Sequence, residues 1–210
     1  MNVSPTDFAS LLCSRLCHDL LSPVGALNNG LELLADETDP DMRQRCLELL
    51  NASAQASANK LKFFRLAFGA AGGFGETVDT REAKAVIAGL FVENKRLEIG
   101  WLVEADQLPK QAIKVLLNLA LIAGEALVRG GRLDIGAEAE GDRIEIVLRA
   151  EGARIVLDPE IRAALNGEGQ DVTPRTAAAF LARELATQTG GDVQVSDGDG
   201  FLLFGAMLRP

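Results

Sequence analysis

Histidine occurs once in these 210 residues, at His18, and cysteine three times, at Cys13, Cys17 and Cys46. An odd cysteine count without framework spacing excludes a disulfide scaffold and suits reduced thiols in a reducing compartment. Clustered lysine and arginine are missing and the formal charge is -9, which argues against nucleic acid, whose phosphates need a basic patch. No apolar run approaches the ~20 residues of a bilayer span, because Glu, Asp or Arg interrupts each one. Nor does the N-terminus carry a basic region ahead of an apolar core, so no signal peptide is expected and the predicted address is cytoplasmic. What is present is ordinary: 48% hydrophobic and 24% charged residues describe a globular chain, long enough for one large domain or for a helical element plus a compact domain.

The N-terminal third is helical in pattern. Ser4-Pro5-Thr6-Asp7 supplies an N-cap, a proline in the first turn and an acid where the helix dipole favours it. Leu12, Leu16, Leu20, Val24, Leu27, Leu31 and Leu34 then form one stripe of a helix reaching about Ala35. On that wheel His18 falls opposite the stripe, with Ser14, Ser22, Gly25, Asn29 and Glu32, so the histidine is predicted to face solvent. Asp39-Pro40 opens a second helix whose apolar positions are Leu47, Leu50, Ala54, Ala58, Leu61, Phe64 and Phe68, with Glu48, Gln55, Asn59 and Lys62 opposite. Two long helices with so short a link must form an antiparallel hairpin. A lone hairpin cannot bury both stripes, so a homodimer sharing a four-helix bundle is expected.

Gly69 to Gly75 reads as a connection between a helical domain (1–72) and a second domain (76–210). In the latter, helices are predicted over Thr80 to Asn94, Pro109 to Val128, Pro159 to Leu165 and Thr173 to Thr187. Strands are predicted over Arg96 to Glu104, Leu133 to Ala139, Arg143 to Ala150, Asp192 to Ser196 and Phe201 to Met207. Arg143, Glu145 and Arg149 alternate with Ile144, Ile146 and Leu148, placing one strand face on a core. The fold class is α+β: a helical hairpin followed by an α/β sandwich with helices on one sheet face.

His18-Asp19-Leu20-Leu21-Ser22-Pro23 resembles the H-box of sensor histidine kinases. Lys114 to Leu119 is similar to the start of their N-box, and Gly190 to Pro210 to their final two strands, so the second domain is expected to resemble the kinases' ATP-binding (Bergerat) domain. The departures fall on the nucleotide motifs. Ile122 stands where a second magnesium-holding asparagine is expected, and an apolar side chain offers no oxygen to a hard cation. Ala150 stands for the adenine-reading aspartate, Arg154 for a motif glycine, and Val172 to Thr176 lacks the glycines of a phosphate-wrapping lid. An intact H-box with a degraded nucleotide site resembles the ChpT family of alphaproteobacterial phosphotransferases, as does the form Leu16 to Ala26 takes here. The resemblance implies a dimeric relay carrying phosphoryl groups between receiver domains, from a hybrid kinase to downstream response regulators, including a DNA-binding cell-cycle regulator. It implies no cofactor held by this chain, with Mg²⁺ supplied by the partner receiver.

The residues can support that chemistry. A neutral imidazole has a lone pair to attack phosphorus, and Asp19, one position on, can hydrogen-bond the other ring nitrogen. Pro23 leaves the Asp19 carbonyl without its helical partner and should bend the helix just past His18. Leu11, Ser14, Arg15, Leu21, Ser22 and Gly25 surround the histidine and are the candidate partner contacts. Cys13 and Cys17 lie at the stripe's edge, pointing away from the imidazole, so packing is expected there and no metal site is assigned. The competing readings are a kinase using ATP in an unusual way and a dimeric scaffold or anti-activator without chemistry.

Overall fold

The computed structural model describes residues 3–69, 76–169 and 171–209. Helix α1 spans Pro5–Asp36 and α2 spans Pro40–Ala67. Both N-termini are capped as the sequence dictates: Ser4 Oγ accepts from the Asp7 amide at 3.1 Å, and Asp39 Oδ1 accepts from the amides of Asp41 and Met42. Arg43 closes the link from the other side, donating to the carbonyls of Leu34 at 3.1 Å and Glu37 at 2.7 Å. Thus the start of α2 lies beside the end of α1, while Lys60 toward the end of α2 reaches back to Asp19 at the middle of α1. The hairpin is antiparallel, with a close crossing at Gly30, where an added Cβ would meet Leu50 at 3.0 Å.

Burial along the hairpin corrects the predicted stripes. Leu12, Leu16, Leu20, Leu27 and Leu34 are half-buried, but Val24 and Leu31 are exposed, because α2 covers only one flank of the stripe. On α2 the buried positions are Cys46, Ser53, Ala56, Phe63, Phe64, Leu66 and Ala67, whereas Leu47, Ala54 and Leu61 are exposed. The seam against α1 therefore admits small residues, which let the helices approach, while Leu50 and Leu66 turn inward and Leu47 and Leu61 stay outward. Asn59, expected on the wet side, is half-buried and donates to the Gly89 carbonyl at 3.0 Å. Cys13 and Cys17, expected to pack, are exposed.

The remaining elements are β1 (Thr77–Asp79), α3 (Thr80–Leu90), β2 (Leu97–Trp101), β3 (Gln107–Pro109), α4 (Lys110–Ala126), β4 (Gly131–Glu140), β5 (Arg143–Glu151), α5 (Pro159–Asn166), α6 (Ala177–Gln188), β6 (Asp192–Gly198) and β7 (Phe201–Leu208). A five-stranded sheet runs β2-β4-β5-β7-β6, parallel between β2 and β4 and antiparallel elsewhere. Strands β1 and β3, too short to carry a periodicity, form a separate antiparallel pair that sequence reading missed. One face of β5, with Ile144, Ile146, Leu148 and Ala150, is buried against α4, while Arg143, Glu145 and Val147 are exposed.

Most of the connection read from the glycines, residues 70–75, lies outside the described residues. On either side of it the packing is continuous. Phe63, Phe64, Leu66 and Ala67 at the base of α2 belong to the same buried cluster as Ile113, Leu116 and Leu117 of α4 and Ile87 of α3. Farther up, Phe8 of α1 meets Phe180 of α6 edge-on, with ring centroids 5.0 Å apart. These contacts set α1 against the C-terminal elements along the side that carries His18.

Candidate functional site

His18 projects from α1 with 82% of its side chain open to solvent, as its position opposite the leucine stripe requires. Its Nδ1 lies 3.2 Å from Asp19 Oδ1. A carboxylate can only accept, so Nδ1 donates and the lone pair of the neutral ring resides on Nε2. Asp19 is itself fixed: its Oδ2 accepts from Arg15 Nε at 2.9 Å, one helical turn back. Arg15 in turn bridges to Glu125 at the C-terminal end of α4. A chain of charged groups thus runs from His18 through Asp19 and Arg15 to the C-terminal elements.

The electrostatics follow from crowding. Arg15 is only 11% exposed; burial works against its charge, but Glu125 and Asp19 outweigh this and hold its pKa above the ordinary arginine value. At Glu125 the balance reverses. Crowding by protein atoms pushes the carboxyl above the usual carboxylate range, and Arg15 offsets this only in part.

Pro23 sits within α1, which continues past it to Asp36. The carbonyl that Pro23 leaves without a helical donor, that of Asp19, is satisfied from α2: Lys60 Nζ donates to it at 2.8 Å. Sequence reading found the orphaned carbonyl but not its partner, which lies 41 residues away and follows only from the hairpin register.

The other predicted partner contacts divide. Ser14, Leu21 and Ser22 are exposed, Leu21 to 70%, and an added Cβ on Gly25 would meet nothing within 4 Å. Leu11 is half-buried, on the stretch of α1 that packs toward α6. Arg15, expected at a partner surface, is turned inward because two carboxylates claim it. Opposite His18, the turn at Thr173–Arg175 faces α1 across a cleft of about 640 Å³, which Glu125 also lines. That turn was predicted to be helix; α6 begins only at Ala177, because Thr173 and Thr176 bond each other's amides with their hydroxyls, at 2.9 and 3.3 Å, in competition with helical bonding.

Of Asn118, Ile122 and Ala150 at the nucleotide positions, only Asn118 has a side-chain oxygen to offer MgATP: its Oδ1 has no partner but is buried. Asn118 is fully buried, and its amide nitrogen is spent on the carbonyls of Lys114 and Ala67, at 2.7 and 3.4 Å. Ile122 is 3% exposed and Ala150 is in the core; neither offers a polar atom. Among the described residues no three His, Cys, Asp or Glu side chains gather as a metal site, and no helix is long and apolar enough to cross a membrane.

Comparison with known proteins decides the family. The family model of the histidine phosphotransferase C-terminal domain matches residues 80–200, more than half of the chain. The chain belongs to the histidine phosphotransferase family. The protein phosphotransferase ChpT of Brucella abortus (strain 2308), a curated relative, is 44% identical over 138 residues, a stretch covering 66% of this chain and 64% of that protein. A solved bacterial phosphotransferase superimposes over 98% of both chains, with 31% identity and a TM-score of 0.87. The histidine kinase domain of the blue-light-activated kinase of Erythrobacter litoralis EL346 aligns over 97% of this chain and 93% of that one, with 9% identity and a TM-score of 0.50. The last likeness concerns the fold alone: this member of the family keeps a histidine-kinase architecture of helical hairpin and α/β sheet.

Proposed function

We propose that this chain is the histidine phosphotransferase of a multistep phosphorelay, carrying a phosphoryl group on His18 between aspartates of receiver domains. The observation that carries the reading is the state of His18: an exposed imidazole whose Nδ1 is held by Asp19, leaving the Nε2 lone pair outward. In the charging step Nε2 attacks the phosphorus of a receiver's aspartyl phosphate. The P–Nε2 bond forms as the acyl P–O bond breaks, and the electron pair leaves on the receiver's carboxylate. The proton on Nδ1 stays shared with Asp19, whose charge stabilises the imidazolium. Discharge to a second receiver is the same step reversed. Mg²⁺ is held by the partner's acidic residues, and the chain itself binds neither metal nor ATP, a reading supported by the apolar Ile122 and Ala150. The proposed relay runs from a hybrid kinase's receiver to cell-cycle response regulators, and its proposed address is the cytoplasm.

The exposed Val24 and Leu31 of α1 and Leu47 and Leu61 of α2 support a homodimer in which a second hairpin completes a four-helix bundle. Sedimentation equilibrium should return twice the 22.3 kDa chain mass; a monomer at micromolar concentration refutes the dimer.

The decisive experiment incubates the protein with a radiolabelled phospho-receiver and Mg²⁺. Label is expected on the wild type and absent from His18→Ala. Failure to label the wild type, or label persisting on His18→Ala, overturns the reading and leaves a scaffold that binds a regulator without chemistry.

A further inference from the structure

We propose that Arg175, on the turn leading into α6, binds the phosphoryl group while it resides on His18. The inference rests on the phosphoacceptor reading and adds a residue from the far wall of the cleft. Arg175 lines the same cleft as His18, Asp19 and Glu125, although it lies 157 positions from the histidine in sequence (175 − 18).

Charge accounting singles out this residue. Before phosphorylation the cleft is lined by two carboxylates, Asp19 and Glu125, and two guanidiniums, of which Arg15 is committed to both carboxylates and leaves Arg175 to meet added negative charge. A phosphoryl group adds about two further negative charges. Lys60 offers its ammonium to a main-chain carbonyl on the α2 side of α1. Arg175 is the other cation lining the cleft, with 68% of its side chain open to solvent.

Its mounting suits the task. The reciprocal Thr173–Thr176 bonds lock the turn, and Thr176 is 3% exposed, so Arg175 stands on a rigid platform rather than a loose loop. Asp158 anchors it, accepting from Arg175 Nη1 at 2.9 Å. Asp158 is fixed as well, capping α5 by accepting from the Glu160 amide at 2.8 Å. A guanidinium has five N–H donors in a planar fork matched to phosphoryl oxygens, and the bond to Asp158 engages one nitrogen.

Labelling and titration need no protein partner; transfer to a phosphate-accepting receiver domain is measured beside them. Phosphoramidate serves as the phosphoryl donor: its P–N bond breaks as the P–Nε2 bond forms, and the electron pair leaves on ammonia, which takes a proton from water. The pH titration of the phosphohistidine is then followed by ³¹P NMR in full-length wild type, Arg175→Gln and Arg175→Lys. A nearby guanidinium favours the dianion, so the Gln variant should titrate about 0.5–1 higher on the pH scale than wild type, with Lys between them. Loss of label should quicken about fivefold in the Gln variant, the size of one lost charge-assisted hydrogen bond. Identical titration and lifetime in wild type and Gln variant overturn the proposal. So does a Gln variant impaired only in transfer to a receiver, which would make Arg175 a partner contact. If wild type takes no label on His18, the phosphoacceptor reading itself falls, a distinct failure seen before any variant is compared.

Discussion

Neutralising Glu125 should leave the fold as stable at pH 7 as before, or more so, although it removes the ion pair that ties α4 to α1. The reason lies in the direction of its titration. Crowding raises the Glu125 carboxyl above its ordinary range, and attraction to Arg15 falls short of cancelling this, so the folded state holds the proton more tightly than the unfolded chain does. A group raised in this way gives its full support below the unfolded value, and the support is lost as pH rises through the folded one. At neutral pH the ionised Glu125 is therefore a net burden. With 43% of its side chain in contact with solvent, screening limits that burden to ~1 kcal/mol or less. Glu125→Gln keeps the shape and an oxygen for Arg15, which retains its bond to Asp19. Urea unfolding followed by circular dichroism, at matched slope, should find the variant equal to wild type or up to ~1 kcal/mol more stable at pH 7. The difference should close toward about pH 4, where wild-type Glu125 is protonated. A variant destabilised by more than ~1 kcal/mol at pH 7, with the loss vanishing on acidification, would show that the ion pair outweighs the crowding and refute the reasoning.

Lys60→Met should cost about 1–2 kcal/mol by stranding the Asp19 carbonyl, and little in a Pro23→Ala background, where the helix supplies its own donor; additive losses in the double-mutant cycle would sink this account. Gly124→Ala places a Cβ 2.2 Å from the Phe91 ring, and overpacking there should lower stability by about 1–3 kcal/mol; an unchanged unfolding midpoint would show that Phe91 moves aside freely. Ile122→Asn should not bring measurable MgATP binding in calorimetry, since Ala150 still offers no polar atom and Asn118 stays fully buried; heat of binding dependent on Mg²⁺ would contradict the fit argument.

Where the sequence carried a local signal, it was a sound guide. Ser4-Pro5 and Asp39-Pro40 mark helix starts because a cap acts on amides two or three residues away. The alternation in β5 and the wheel position of His18 are likewise properties of a few neighbouring residues. The stripe on α2 held only in part, with Phe64 buried, Leu50, Ala58 and Phe68 half-buried and Leu47, Ala54 and Leu61 exposed, because hydrophobicity says that a face is to be covered, but not by what. Ser53 and Ala56, outside the predicted stripe, are buried because their small size lets α1 come close, while Leu47 and Leu61 remain outward. The start of α6 was misread because the competing Thr173–Thr176 bonds depend on a turn geometry that the pattern does not encode.

The sequence by itself determined that one histidine lies on the outer face of a long helix, that Asp19 is beside it, and that Pro23 orphans the Asp19 carbonyl. All three are consequences of chain connectivity and helix pitch. Only the tertiary structure decided what surrounds them: Lys60 on that carbonyl, Glu125 on Arg15, and Arg175 across the cleft. Those partners come from 41, 110 and 157 residues away, respectively, and at such separations it is the packing of hairpin against sheet and helices, not local pattern, that sets which charges meet.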